Sequence, residues 1–124
     1  MTHRITVCTS CRLKGTATRP GKELILHLRT ALAETRDEMP ERYAVGGASC
    51  MAGCDHSCTV AFQAPRKASY LFGDIDPSED LGDLLAFARD YALLSDGWCS
   101  SVDRPSKLRK STLARVPALQ SANQ

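Results

Sequence analysis

The run Cys50-Met-Ala-Gly-Cys54-Asp-His-Ser-Cys58 sets three thiols at intervals of four among mostly small or polar residues. Such a pattern packs neither a strand nor an amphipathic helix, so the thiols call for a partner, and soft thiolates call first for a metal or a metal cluster. A second motif, Cys8-Thr-Ser-Cys11, stands near the start of the chain. A Cys-x2-Cys pair far in sequence from a Cys-x3-Cys pair is the arrangement by which two loops of one small domain close a tetrahedral thiolate site.

Composition limits the alternatives. With 124 residues, 43% of them hydrophobic, the chain is long enough to bury a core without disulfides or metal. The formal net charge of +2 and the lack of interleaved aromatic and basic residues give no nucleic-acid signature. Met1-Thr-His-Arg-Ile-Thr-Val-Cys8 builds no apolar signal segment, and no run is apolar enough to span a membrane. The expected location is therefore the cytoplasm, where six cysteines serve as ligands or redox thiols before they serve as three disulfides.

The elements that must position these thiols follow in order. Arg4 to Val7 alternates polar and apolar residues and predicts a first strand running into Cys8. Residues 12–21, with Gly15, Pro20 and Gly21, predict a loop. Leu24, Ile25, Leu28, Ala31 and Leu32 then predict an amphipathic helix over Lys22–Glu38, ended by Pro40. Tyr43 to Val45 predicts a second strand that loosens at Gly46-Gly47 into the cysteine loop, giving a parallel crossover. Residues 58–63 and 68–72 predict an antiparallel hairpin around the turn 64–67.

Asp76-Pro77-Ser78-Glu79 combines a cap, a proline at the first helical position and an acid at the third, and predicts the start of a second helix. Leu81, Leu84, Leu85, Ala88 and Ala92 form its buried stripe, and Ser95-Asp96-Gly97 its end. The resulting order β-α-β-β-β-α predicts an α/β, thioredoxin-like domain over residues 1–99, with a mixed four-stranded sheet and two main helices. Residues 100–124, with Arg104, Lys107, Arg109, Lys110 and Arg115, predict an extended basic carboxyl-terminal arm.

Cys8-x2-Cys11, a Gly-containing loop, a helix, and Cys50-Met-Ala-Gly-Cys54 before a hairpin resemble the thioredoxin-like [2Fe–2S] ferredoxins and the ferredoxin-like subunit of respiratory complex I. The resemblance covers about residues 4 to 95. A second one is carried by Cys58-Thr-Val-Ala-Phe-Gln63, Tyr70-Leu-Phe-Gly-Asp-Ile-Asp-Pro77, Asp96-Gly97, Arg104-Pro105 and Ala114-Arg-Val-Pro117. These are similar to DUF1636, a bacterial family described as predicted metal-binding, and the match spans nearly the whole chain.

The ferredoxin resemblance implies a [2Fe–2S] cluster on Cys8, Cys11, Cys50 and Cys54, single-electron transfer, and an unidentified redox or metal-transfer protein partner; a homodimer is left open. Where the complex I subunit typically has proline four residues after its last ligand, this chain has Cys58, so five thiols stand for four places. Cys58 reads equally as a small buried residue opening a strand and as an alternative ligand. The same thiolates could hold zinc or another divalent metal for storage, sensing or delivery.

His56, inside the cysteine loop, is a candidate imidazole ligand, though an exposed polar role explains it more simply. His3, His27 and Cys99 are not expected to be ligands. A thiol–disulfide oxidoreductase using Cys8 and Cys11 is the enzyme reading. Against it stand the loop residues Gly15, Pro20 and Gly21 between motif and helix, and Ser57-Cys58 where those enzymes carry a cis-proline.

Overall fold

The computed structural model describes residues 3–10, 20–49, 51, 56 and 58–119. β1 (His3–Cys8) is followed by α1 (Gly21–Glu34), β2 (Tyr43–Ala48), β3 (Val60–Gln63), β4 (Ser69–Phe72), α2 (Leu81–Leu93), α3 (Ser106–Ser111) and β5 (Thr112–Val116). The strands form one sheet in the order β2-β1-β3-β4-β5, with β1 and β2 parallel and the other neighbours antiparallel.

Period-two patterning decides which face of the sheet is covered. Ile5 and Val7 of β1, Val60 and Phe62 of β3, and Tyr70 and Phe72 of β4 are buried, whereas the alternate residues Arg4 and Gln63 are exposed. α1 lays Leu24, Ile25 and Leu28 on this inner face, and α2 lays Leu84, Phe87, Ala88 and Tyr91. Phe62 lies at the centre, with ring centroids 4.9 Å from Phe87 and 5.8 Å from Phe72. Burial raises the Tyr43 and Tyr91 phenols above their ordinary range, and each donates at 2.6 Å to a backbone carbonyl, Ala88 O and Ala68 O respectively.

Several elements differ from the sequence expectation. β2 continues through Gly46 and Gly47, which pair with Thr6 and Val7 of β1. A Cβ on Gly47 would lie 2.6 Å from Thr9 Cγ2 and 3.2 Å from Ile25 Cδ1, so this glycine marks a close approach within a strand. α1 ends at Glu34, and a separate 3₁₀ turn covers Arg36–Glu38.

α2 starts at Leu81, not at Asp76. Asp76 instead closes a turn, its Oδ1 accepting from the backbone of Ser78 and Glu79 and from the Ser78 hydroxyl, all at 2.8–2.9 Å. These bonds hold its carboxyl below the usual carboxylate range, with the Glu79 amide first. Asp76→Ala should cost about 1 kcal/mol, the scale of a lost helix cap. The wild-type advantage is present above the ordinary aspartate range and is lost as the pH falls through the depressed folded value; urea melts of both proteins across that range check this.

The sheet has five strands, not four, because residues 106–116 form α3 and β5 where an extended arm was expected. Arg104, Lys107, Arg109 and Arg115 have partners there. The Arg104 guanidinium lies over Tyr70 and donates to Thr112 Oγ1 at 2.7 Å, and Lys107 pairs with Asp80 at 3.0 Å. Arg115 stacks 3.6 Å from the Trp98 ring centre and donates to Cys99 O at 2.8 Å. Leu108 beneath them is fully buried. No helix among the described residues is long and apolar enough to cross a membrane.

Candidate metal centre

Parallel pairing brings the strand ends that lead into the two cysteine motifs in sequence to one end of the sheet. β1 and β2 run side by side in a register that sets His3 against Tyr43 and, at the other end, Cys8 against Ala48. Beyond the last pair the two chains stay joined. Thr9 N and Thr9 Oγ1 both donate to Ala48 O, at 2.8 and 3.1 Å, and the Ser10 hydroxyl donates to Ser49 O. In sequence, the next residue after Ser10 is Cys11 and the next after Ser49 is Cys50. Cys11, Cys50 and Cys54 themselves lie outside the described residues, and among the described residues no group of three or more His, Cys, Asp or Glu is gathered to hold a metal.

Cys8 is 1% exposed, with its thiol 3.7 Å from Ser10 Oγ. Its backbone is fixed on two sides. Cys8 N donates to Thr59 O at 3.0 Å, and the first residue of α1 presses against its carbonyl: a Cβ on Gly21 would stand 2.2 Å from Cys8 O and 2.9 Å from Thr9 Cα. Only glycine allows this approach. It sets the Cys8 backbone against the amino end of a 14-residue helix.

The other end of the cysteine loop is pinned to the turn after β4. Asp74 N donates to His56 O at 2.8 Å, Ile75 N donates to Cys58 O at 3.2 Å, and His56 Nδ1 lies 3.0 Å from Asp74 Oδ2. Gly73 admits His56 closely, since a Cβ there would be 2.7 Å from His56 Cβ; Asp74 takes a left-handed φ of 55°. Asp74 is a participant the sequence reading missed; eighteen residues separate it from His56, beyond the reach of any local pattern.

Cys58 is wholly buried in the hydrophobic core, its thiol directed at Cys8 O at 3.6 Å. Cys99 sits elsewhere, half-buried, with its thiol 3.4 Å from Tyr70 Oη. His27 is on α1 near Glu23 and Pro77, and His3 is buried at the opposite end of β1 from Cys8.

Two solved structures share this architecture. A wild-type thioredoxin-like [2Fe–2S] ferredoxin from Aquifex aeolicus aligns with a TM-score of 0.59 at 16% identity, over 90% of this chain and 96% of that one. A second structure of a thioredoxin-like [2Fe–2S] ferredoxin from Aquifex aeolicus aligns with a TM-score of 0.58 at 15% identity, over 95% and 97%. The fold is thus that of the thioredoxin-like ferredoxins. No curated protein matches the chain. The model of the family described as a protein of unknown function, DUF1636, matches residues 5–118, so the cysteine-bearing sheet and the β5 extension alike belong to it and the chain is a member of that family.

Proposed function

We propose that Cys8, Cys11, Cys50 and Cys54 hold a [2Fe–2S] cluster and that the protein carries single electrons to and from a redox partner protein in the cytoplasm. The observation that carries this reading is the join between the ends of β1 and β2, which starts Cys8-x2-Cys11 and Cys50-x3-Cys54 from adjacent points. The likeness in fold to two [2Fe–2S] ferredoxins supports it. The donor set also fits: four thiolates supply the charge and softness that two sulfide-bridged ferric ions require.

When bound, such a cluster supplies one-electron redox chemistry. The chain's own residues fix where that happens. Cys8 is the buried ligand, its backbone held by Thr59 and set against the amino end of α1. The bonds of Thr9 and Ser10 to Ala48 and Ser49 hold the two strand ends together, and hydrogen bonds around metal ligands tune a metal site.

Cys58 is a core residue in this account. Cys58→Ser should keep the visible spectrum and the iron content, at a stability cost of about 1 kcal/mol for a buried hydroxyl that retains a carbonyl acceptor. Cys11→Ser and Cys50→Ser should each lose most of the chromophore. Spectra of the three variants, purified without oxygen, test the reading. A Cys58→Ser protein that alone lost its iron would contradict the ligand set.

A further inference from the structure

The end of β1 remote from Cys8 carries a different polar device. His3 is 2% exposed and Lys67 7% exposed. Lys67 Nζ donates to His3 Nε2 at 2.8 Å, to Tyr91 O at 2.8 Å and to Ala92 O at 3.1 Å, which uses all three ammonium hydrogens. Tyr91 and Ala92 stand in the last turn of α2, where Tyr91 O also accepts from Leu94 N at 3.2 Å, so a side chain from the β3–β4 turn adds a second donor at the carboxyl end of the helix.

For Nε2 to accept, His3 must be neutral, with its proton on Nδ1; that nitrogen has no partner among the described residues. The imidazole is held between Tyr43 and Tyr91, at ring-centroid distances of 5.3 and 5.7 Å. His3 N also donates to Arg42 O at 3.1 Å.

We propose that His3 and Lys67 form a pH-sensitive latch, in which neutral His3 and the Lys67 ammonium dock the carboxyl end of α2 against the start of β1 and one proton on His3 releases it. That proton, taken from solvent onto Nε2, replaces the acceptor with an N–H aimed at an ammonium. The hydrogen bond is lost and two cations face each other in a buried space. Leu93 and Leu94, just beyond the latch, wall an apolar groove of about 470 Å³ with Phe87 and Trp98, so release also reshapes that groove.

The charged and titratable groups around His3 come from each neighbouring element. Burial first and Lys67 second push its pKa below the ordinary value of 6.5, with the amino terminus adding to them, while Glu41, just before β2, pulls the other way. Lys67 is itself lowered by burial and raised by Glu41. Tyr43 and Tyr91 stay protonated, as burial raises both. Because the released state binds the proton more tightly, release grows as the pH falls below about 6.5, by up to tenfold per pH unit, and levels off below the folded pKa.

The test is a titration of the full-length wild-type protein from pH 7.5 to 4.5 by NMR, reading the His3 imidazole nitrogens and the amide protection factors of Tyr91 to Leu94. The expected result is a neutral Nδ1–H tautomer at pH 7 and a protonation below pH 6.5. Over the same window, protection at the end of α2 should fall by up to tenfold per pH unit. His3→Gln, which accepts a hydrogen bond without titrating, should make that protection independent of pH. A His3 that titrates at about 6.5 would overturn the latch, and so would protection that ignores His3 protonation; if His3→Gln does not fold, the wild-type titration alone decides.

Discussion

Gly21→Ala is expected to destabilise the protein by about 3 kcal/mol, the upper range for overpacking, and, with the proposed cluster on Cys8, to lower iron binding to a small fraction of wild type. The methyl group would enter at 2.2 Å from Cys8 O and 2.9 Å from Thr9 Cα, and both obstacles are backbone. Neither can rotate away, so either α1 or the end of β1 must shift. A shift of β1 breaks the bonds of Thr9 to Ala48 and moves Cys8 relative to β2. Gly82→Ala is the control: on α2 its methyl meets nothing within 4 Å, and it should be neutral or stabilise by about 0.5–1 kcal/mol. Urea denaturation and iron per chain, measured on both variants, separate the specific obstacle from a general glycine effect.

Phe62→Ala should cost about 3–5 kcal/mol, the range for truncating a buried phenylalanine, yet keep the proposed cluster as long as the protein stays folded. The ring is fully buried and meets Tyr43, Phe72, Phe87 and Tyr91 edge-on. Those contacts join β2, β3, β4 and α2, so no single neighbour can collapse into the gap. The register places Phe62 against Ile5, whereas Val60 sits against Val7 next to the cysteine end. Gly21→Ala and Phe62→Ala therefore oppose one another: the first takes iron at a moderate cost in stability, the second takes more stability and leaves iron. Thermal melts beside visible spectra at 10 °C would show it, and iron loss from folded Phe62→Ala would contradict the local role assigned to the β1–β2 end.

Local patterns foretold the first half of the fold because its burial follows simple periods. Ile5 and Val7 alternate with polar residues, and Leu24, Ile25 and Leu28 share one helix face, so a strand, a helix and a parallel strand were legible before any contact was known. What escaped depends on partners distant in sequence. Gly46 and Gly47 look like loop residues until β1 pairs with them. Asp76 looks like a helix cap but caps a turn, with Asp80 at the helix start. Arg104 and Arg115 look like solvated charge until that segment folds back as β5 against β4 and stacks them on Tyr70 and Trp98.

The site was legible in the same uneven way. Spacing marked both cysteine motifs, and the fold starts them from adjoining strand ends. Spacing could not say which way Cys58 faces, because direction depends on β1: its thiol lies against the carbonyl of Cys8, fifty residues away. His56 stood out for its place among cysteines, but its link to Asp74 and the fit against Gly73 had no local signal. The same is true of His3 and Lys67, sixty-four residues apart.

The most direct test of the cluster is elemental analysis of wild-type protein purified without oxygen, with iron, zinc and acid-labile sulfide measured on the sample that gives the visible spectrum. The account predicts brown protein with about two iron and two sulfide per chain, as a [2Fe–2S] cluster requires. Colourless protein with one zinc per chain would contradict it and make the four thiolates a zinc site. Colourless, metal-free protein would contradict it as well and return Cys8 and Cys11 to thiol–disulfide chemistry.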